Sequence, residues 1–246
     1  MSNTNNSLIV EANNIKFTKD AMVNNSFYVT YAFLLTTMTV TFIEAISTKD
    51  AKIRHIMNLE TVISIVAAYF YKQFMDKLKI TQELGKDSSG SKKKDYASIN
   101  VTRYMDWAIT TPVMLWALCL VLGYNNGVSL NGSFFLLILA LNYAMLGTGY
   151  LGETKQMNKR QSTILGFVFF FALYAAIYMK YLHVNNVFDN QIIFWAFVVF
   201  WTGYGILHEK DDETKNIGYN ILDLFSKCFV GIFFWAYLTK SIDIFN

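Results

Sequence analysis

The sequence has few of the residues that build disulfide frameworks or metal sites. It contains two cysteines and three histidines among 246 residues. Both cysteines, Cys119 and Cys228, lie inside apolar stretches, so we expect packed thiols rather than a disulfide. No Cys/His spacing in the chain is typical of a metal site. The sequence therefore predicts neither a disulfide framework nor a bound metal.

Charged residues are also scarce, since Asp, Glu, Lys and Arg together make up 16% of the chain. The formal net charge is +3, and most basic residues lie between the apolar stretches, without a stripe of interleaved aromatic residues. We therefore expect no nucleic acid partner. The polar N-terminal segment, residues 1–26, lacks the basic and apolar regions of a signal peptide. The first hydrophobic helix is then expected to direct membrane insertion itself.

Hydrophobic residues make up 54% of the chain and are concentrated in long stretches. Each stretch is about 20 residues long, the length that a helix needs to cross roughly 30 Å of hydrocarbon. Backbone polar groups in lipid must be satisfied within helices, so the predicted fold class is an all-α membrane protein, a seven-transmembrane-helix bundle. The seven stretches are Phe27–Ser47, His55–Phe74, Tyr104–Gly123, Ser133–Gly152, Ser162–Leu182, Gln191–Leu207 and Ile217–Leu238.

The connections between these stretches are short, with one exception. Residues 77–98 are polar and rich in Gly, Ser and Lys, which predicts a long extramembrane loop. We see no internal repeat and expect residues 1–246 to form a single domain. The basic residues Lys49, Lys52 and Arg54 after the first stretch favour an extracellular N-terminus, but the distribution over all loops favours the opposite orientation.

A lysine lies in the middle of the last apolar stretch. Lys227 is about ten residues from either end, where a charge costs about 2.5–3.5 kcal/mol on insertion scales. Asp223 is four residues earlier on the same helix face and is a suitable counter-ion. Such a residue indicates a functional site, and an amine in this setting can form a Schiff base with an aldehyde. The alternative is that Lys227 extends to a lipid headgroup.

A second polar group lies at the start of the third stretch. Asp106 is three residues after Arg103 and four before Thr110, so the three side chains share one face. Pro112, the single proline of the chain, is in mid-helix, where threonine hydroxyls are expected to satisfy the freed carbonyl. An Arg–Asp pair that only locks helices together is the alternative. With the lysine and aspartate of the last stretch, the charges balance as a buried cluster.

These motifs resemble those of the microbial (type I) rhodopsins. The matching segments are Arg-Tyr-x-Asp-Trp-x-x-Thr-Thr-Pro at 103–112, Leu-Gly-Thr-Gly at 146–149, Trp-x-x-Tyr at 201–204 and Asp-x-x-x-Lys at 223–227. The resemblance extends over all seven stretches in order. The segment 219–223 and the long loop look closest to proteorhodopsins, and the composition is also compatible with rhodopsins of giant algal viruses.

The resemblance implies all-trans retinal bound to Lys227 as a protonated Schiff base. Asp106 would be the primary counter-ion and proton acceptor, and Asp223 the second counter-ion. Thr110 would form a hydrogen bond to Asp106, and Arg103 would gate the outward side. The residues expected around the retinal are Trp107, Thr111, Met145, Gly149, Trp201, Tyr204, Tyr71 and His208.

The resemblance also sets expectations for location and partners. It implies an integral multi-pass protein of the lipid bilayer with an extracellular N-terminus, which forms a homo-oligomer, a trimer or pentamer. The expected activity is transport of protons or small cations rather than enzymatic catalysis. For His208, the alternative to a place near the retinal ring is the membrane interface.

Two positions depart from the pattern of the proton pumps in this family. A carboxylic acid is usual eleven residues after the acceptor, but this chain has Ala117 there. Glu60, in the second stretch, is the candidate proton donor or gate; alternatively it faces headgroups or pairs with Arg54 or His55. A fourth-helix position that is aspartate in some relatives is Asn142, which we expect to form a hydrogen bond with Thr111.

The favoured function is a light-driven outward proton pump. Asp106 followed one turn later by Thr110 favours protons over chloride, which needs a neutral residue at this position, and over sodium. A light-gated cation channel is the first alternative, because Ala117 leaves the usual donor position empty. A photosensory rhodopsin without net transport is the second. A seven-helix receptor or enzyme without retinal is disfavoured by the motifs of Lys227 and Asp106.

Overall fold

The computed structural model describes residues 2–84, 95–183 and 186–240. Their regular secondary structure consists of seven helices. The seventh contains a π-helical segment, Leu224–Phe229, between the α-helical segments Asp212–Asp223 and Val230–Leu238. The helices are α1 (Ser2–Ser47), α2 (Ala51–Leu84), α3 (Tyr96–Asn126), α4 (Gly132–Glu153), α5 (Lys159–Tyr181), α6 (Phe188–His208) and α7 (Asp212–Leu238).

Six of these helices, within the ranges that the structure describes, are long and apolar enough to cross a membrane. They are α3 to α7 and the Ala21–Ser47 part of α1. Helix α2 falls below this threshold of composition, but it packs between α1 and α3 and buries Glu60, Thr61 and Ser64. The predicted bundle of seven helices is confirmed, with one helix more polar than the others.

Helix ends in the bundle follow local sequence signals. Asp95, Asn131, Asn158 and Asp211 each precede a helix and accept a hydrogen bond from a backbone N–H two or three residues later. Such caps satisfy donors that the first helical turn leaves free. Helix α3 ends at Gly127, whose φ of 68° is the left-handed conformation that glycine adopts without a steric penalty.

One predicted segment boundary is wrong. The loop expected at 77–98 is shorter, because α2 continues to Leu84 and α3 begins at Tyr96; residues 85–94 lie outside the described ranges. Leu78 and Tyr96 pack in one apolar cluster, so helical packing extends into the polar sequence. The polar segment 1–26 is helical from Ser2 onward. It contains no proline or glycine, so nothing in its sequence breaks the helix.

Pro112 is accommodated within a continuous α3. A proline leaves the carbonyl four residues earlier without its helical donor, and here that carbonyl belongs to Ala108. Tyr143 of α4 donates its hydroxyl to the Ala108 oxygen at 3.1 Å. The expectation that threonines satisfy this carbonyl is wrong: Thr110 and Thr111 donate to carbonyls of the preceding turn that belong to other residues. The carbonyl that Pro112 leaves free thus forms a hydrogen bond between α3 and α4.

The apolar core has two parts. The larger cluster joins α3, α5, α6 and α7 and includes Leu115, Phe197 and Phe234. The smaller one joins α1, α2, the start of α3 and Cys228 of α7, around Phe27 and Phe74. Both cysteines are buried free thiols, one in each cluster. Charged side chains of α3 and α7 are buried beside these clusters and form the candidate site.

Candidate functional site

Lys227 is the cation of a buried ionic cluster. Its Nζ lies 2.7 Å from Asp106 Oδ2 and 3.3 Å from Asp223 Oδ1. Lys227 is 2% exposed, and both aspartates are fully buried. The alternative that Lys227 extends to a headgroup is therefore wrong. Removing one member of such a buried cluster would leave an uncompensated charge, so the three groups hold one another in place.

Asp223 is enclosed by donors. Tyr71 of α2 and Tyr204 of α6 each donate a hydroxyl to its carboxylate at 2.7 Å. Arg103 Nη1 lies 3.6 Å from Asp223 Oδ2. Tyr204 Oη is also 2.8 Å from Ser226 Oγ. Asp223 is thus held from α2, α3, α6 and its own helix.

Arg103 is fixed in a polar and aromatic cage on α3. It donates to the side-chain oxygens of Asn216, at 3.2 and 3.1 Å, and of Asn220. Its guanidinium carbon lies 4.8 Å from the ring centre of Phe74 and 5.2 Å from that of Phe27. These faces stabilise a buried cation. The ion pair that Arg103 forms crosses from α3 to α7.

Asp106 has fewer hydrogen-bond donors around its carboxylate than Asp223. Its Oδ2 accepts from Lys227, but its Oδ1 is buried with no hydrogen-bond partner among the described residues. The Thr110 hydroxyl donates to the backbone oxygen of Asp106 at 2.9 Å, not to the carboxylate as expected. A threonine on a helix can bond its own preceding turn, and the spacing of four residues favours that bond here. Asp106 therefore keeps one free acceptor oxygen.

The π-helical segment Leu224–Phe229 carries Lys227. A π-turn disrupts the regular backbone pattern, and such segments often coincide with functional sites. Two threonines of α1 donate to carbonyls of α7: Thr37 to Cys228 O inside this segment at 3.4 Å, and Thr30 to Asn220 O, one turn before it, at 3.0 Å. Contacts from α1 thus stabilise the irregular backbone at the lysine.

An apolar cavity begins at Lys227 and extends between α3 and α6 to α4 and α5. Trp107 and Trp201 line it from α3 and α6, and Met145 and Phe167 line its far part. Of the residues expected around retinal, Trp107, Thr111, Met145, Gly149, Trp201, Tyr204, His208 and Lys227 line the cavity. Tyr71 is not among its lining residues and contacts Asp223 instead.

The cavity fits a long conjugated aldehyde such as retinal. Flat aromatic walls suit an extended apolar chain, and the buried amine at one end suits a covalent link. Gly149 allows Tyr104 to pack against the α4 backbone in the cavity wall, because a Cβ there would lie 2.9 Å from the Tyr104 hydroxyl oxygen. The indole N–H of Trp201 is buried without a partner among the described residues.

Glu60 is buried rather than exposed at the end of α2. Its residue is 2% exposed, while Arg54 and His55 lie on the exposed surface, and Arg54 donates to Thr48 O at 2.7 Å. The alternative of a headgroup contact is therefore wrong. A Cβ added at Gly231 would lie 3.1 Å from Glu60 Oε2, so the carboxyl packs against the α7 backbone. Gly231 is one turn after Lys227.

The polar contact expected between α3 and α4 is present. Asn142 Nδ2 donates to Thr111 Oγ1 at 2.9 Å, and both residues are buried. The Thr111 hydroxyl in turn donates a hydrogen bond to Trp107 O at 2.7 Å. Ala117, at the usual donor position, is fully buried in the larger apolar cluster. The Asn142–Thr111 prediction is thus confirmed, and no carboxyl group stands at position 117.

A network that the sequence reasoning missed lies beyond Arg103. Lys215 is 1% exposed and its Nζ lies 2.8 Å from Glu153 Oε1 and 2.9 Å from Asp212 Oδ1. His208 is buried, and its Nδ1 is 3.8 Å from Glu153 Oε2. His208, for which a place near the retinal ring was expected, lines the cavity. The sequence contained a sign that Lys215 is buried. It lies on the same helix face as Lys227, because positions 215, 219, 223 and 227 are four residues apart.

Comparisons with known proteins agree with this architecture. The bacteriorhodopsin-like protein family matches residues 21–241. The crystal structure of viral rhodopsin OLPVRII is 45% identical, covers 89% of this chain and 99% of that chain, and superposes with a TM-score of 0.80. The crystal structure of the light-driven proton pump rhodopsin of Coccomyxa subellipsoidea is 17% identical with a TM-score of 0.69, covering 87% of this chain and 96% of that one, and shows likeness of fold alone.

A sequence relative is the green-light absorbing proteorhodopsin of Gamma-proteobacterium EBAC31A08. It is 28% identical over 165 residues, which are 58% of this chain and 63% of that protein. The match thus spans less than two thirds of the relative's length. The chain belongs to the bacteriorhodopsin-like family. It is a microbial rhodopsin with similarity to a viral one, an integral multi-pass membrane protein, and family membership implies a retinal chromophore.

Proposed function

We propose that the protein is a light-driven outward proton pump, with all-trans retinal bound covalently at Lys227 Nζ and Asp106 as the proton acceptor. The observation that carries this proposal is the 2.7 Å contact between Lys227 Nζ and Asp106 Oδ2. The contact joins the nitrogen that holds the proton to a buried carboxylate with a second, unpaired oxygen. When bound, retinal supplies light absorption and an isomerisation that changes the setting of that nitrogen.

Asp106 is better placed than Asp223 to receive the proton. Two tyrosines donate to the Asp223 carboxylate and Arg103 lies beside it, and hydrogen bonds to a carboxylate stabilise its charged form. Asp106 accepts from Lys227 alone among the side-chain donors described. We therefore assign Asp223 as the second counter-ion and Asp106 as the group that takes the proton. This assignment makes the Lys227–Asp106 pair the site of proton transfer.

Arg103 controls the outward side. In the resting arrangement it contacts Asp223, Asn216 and Asn220 on α7. Protonation of Asp106 removes one negative charge from the cluster, so the balance of charge around Arg103 changes. The guanidinium then relaxes away from Asp106 and toward the start of α7, and this movement opens the way for the proton to leave.

Glu60 returns a proton to the Lys227 nitrogen from the opposite side. It lies against Gly231, one turn beyond Lys227, and would take the role of the acid that is missing at Ala117. Thr37 links Glu60 to the segment that carries Lys227, because it is next to Gly231 and donates to Cys228 O. A buried carboxyl without an ion pair among the described residues can hold a proton until the lysine nitrogen has lost its own.

The orientation in this proposal follows from the outward direction of transport, and the assembly from the resemblance to microbial rhodopsins. The start of α7 and Arg103 face outward, Glu60 faces the cytoplasm, and the N-terminus is extracellular. The protein forms a homo-oligomer, a trimer or pentamer, in the lipid bilayer. Several hydroxyl and carboxyl side chains of α1 and α2 are buried within the protein, among them Thr37, Thr41, Glu60, Thr61 and Ser64.

A light-gated cation channel is the second candidate, and those same buried groups favour it. Thr41 and Thr61 share a hydrogen bond at 2.8 Å, and Ser64 Oγ is buried with no partner among the described residues. Together with Glu60, they form a polar line between α1 and α2 that is suited to a hydrated path. The hydrogen bond between Thr41 and Thr61 closes this polar line in the structure, which favours the pump.

Illumination of cells or proteoliposomes that contain the protein separates these functions. Steady acidification outside cells, abolished by a protonophore, is the result expected for the pump. Photocurrent that reverses sign with membrane voltage would contradict a pump and support the channel. A visible pigment that moves no charge in either assay would contradict both and leave a photosensor. Asp106→Asn serves as the control that must lose proton transport.

A further inference from the structure

A second ionic cluster, with Lys215 buried and Asp212 half-exposed, adjoins the cavity through His208. Glu153, which ends α4, receives Lys215 Nζ on both carboxylate oxygens, at 2.8 and 3.0 Å. Asn100 of α3 donates to Glu153 at 2.8 Å and to Asp212 at 2.9 Å. Three helices thus contribute to one cluster, and proton transfer at Lys227 requires none of its members.

His208 joins this cluster to the cavity. Its Nδ1 is 3.8 Å from Glu153 Oε2 and 3.5 Å from the Tyr104 hydroxyl oxygen. Its Nε2 is 3.4 Å from Ser162 Oγ of α5. His208 and Ser162 both line the cavity. A titratable ring therefore faces a carboxylate on one side and the chromophore cavity on the other.

The position of His208 along the cavity follows from the helices that form it. Lys227 and Asp223 lie on α7, whereas Ser162 and Phe167 lie on α5, which packs on α4 and α6. A chain that is anchored at Lys227 and passes between the α3 and α6 tryptophans ends in the α4–α5 part. His208 is therefore beside the end of the polyene that is remote from the attachment point.

We propose that His208 is a colour-tuning residue, and that a proton on its imidazole, balanced by Glu153, shifts absorption of the bound retinal to shorter wavelength. The proposal rests on the proposed function in that it requires retinal at Lys227. Excitation moves positive charge from the Lys227 nitrogen toward the remote end of the polyene. A cation at that end repels the displaced charge and raises the energy of the excited state.

Charged groups face His208 from every helix around it. Glu153 of α4 is the nearest anion, and Glu209 follows directly on α6. Lys159 of α5 and Lys215 of α7 oppose a proton on the ring. Tyr104 of α3 and Ser162 of α5 offer oxygen atoms that accept from a protonated imidazole. Lys215 already neutralises one charge of the Glu153–Asp212 pair, so a protonated His208 would balance the other.

Absorption spectra of the purified, retinal-loaded protein test the proposal. As the pH is lowered below about 6.5, the ordinary midpoint of histidine, the band is expected to shift to shorter wavelength as one proton binds. Protonation of Asp106 shifts the band to longer wavelength, so the two titrations differ in sign. His208→Gln should abolish the shorter-wavelength shift. Glu153→Gln should move its midpoint to lower pH, because the anion that favours the proton is gone.

The outcomes also separate this proposal from the proposed function. If the wild-type protein forms no visible band with retinal, the proposed function fails. If the band forms and His208→Gln or His208→Phe keeps the same pH response, the role of His208 is overturned. The phenylalanine variant covers the case in which glutamine prevents pigment formation. Repeating the titration in Asp106→Asn, where the longer-wavelength shift is already complete, should leave the His208 response isolated.

Discussion

Asp106 and Asp223 both contact the amine of Lys227 but differ in their other hydrogen-bond partners. Lys227 Nζ is 2.7 Å from Asp106 and 3.3 Å from Asp223. Two tyrosine hydroxyls donate to Asp223, while one oxygen of Asp106 has no partner among the described residues. The two carboxylates therefore differ in their hydrogen-bond donors, and this difference supports the proposed roles of acceptor and second counter-ion.

Asp106→Asn should shift absorption to longer wavelength and stop proton transport. The change removes the nearest negative charge from the chromophore nitrogen and the base that accepts its proton. In the wild type, transport should fall on acidification, because a protonated Asp106 accepts nothing further. Light-driven pH changes in proteoliposomes, measured over a pH series, check both points. Undiminished transport by the variant would remove Asp106 as the acceptor.

Glu60→Gln should slow the return of the proton to the Lys227 nitrogen without abolishing the pigment. Glutamine keeps the shape of the side chain but has no proton to donate. Flash photolysis measures the recovery, and added azide, a small diffusible acid, should restore it. Glu44→Gln, at the end of α1, is the matched control and should leave the recovery unchanged. A photocycle in Glu60→Gln identical to that of the wild type would eliminate Glu60 as donor.

Gly231→Ala should disturb Glu60 through packing alone. The new Cβ would lie 2.7 Å from Thr37 Cγ2 and 3.1 Å from Glu60 Oε2. Overpacking of this kind costs about 1–3 kcal/mol, so we expect earlier thermal bleaching and slower recovery. Gly147→Ala is the control, because a Cβ there meets nothing within 4 Å. Equal thermal stability of the two variants would show that Glu60 does not pack against α7 as described.

Tyr143→Phe should destabilise the bundle by about 0.5–1.5 kcal/mol, the net contribution of one hydrogen bond. The lost bond is the one to the Ala108 carbonyl that Pro112 leaves free. In a Pro112→Ala background that carbonyl regains its helical donor, so the same change should cost less. A double-mutant cycle of thermal bleaching measures this coupling. An equal cost in both backgrounds would contradict the link between Tyr143 and the proline.

Helix number and the ionic pair on α7 were predictable because they depend on spacing. A lysine in mid-stretch with an aspartate four residues earlier is a local pattern, and the structure places both groups in one cluster. The Tyr143 contact and the Lys215–Glu153 pair were not predicted. Each joins residues far apart in sequence, and no periodicity within one helix shows which neighbour supplies the partner.

Segment ends were the least predictable part of the fold. Polar composition at 77–84 and before residue 27 concealed continuing helices, because composition reports solvent or lipid exposure and not backbone conformation. The partner of Thr110 was missed for a related reason. The residue spacing brings Thr110 near Asp106, but it does not distinguish the carboxylate from the backbone oxygen that accepts the bond.

The most direct test of the account is the visible spectrum of Lys227→Ala after addition of retinal. Lys215→Met is the control, because Lys215 is also buried on α7 but pairs with Glu153 instead of Asp106 and Asp223. We predict that the wild type and the Lys215 variant form a visible band, and that Lys227→Ala shows only the absorption of free retinal. A normal visible band in Lys227→Ala would contradict the covalent attachment on which the proposed pump depends.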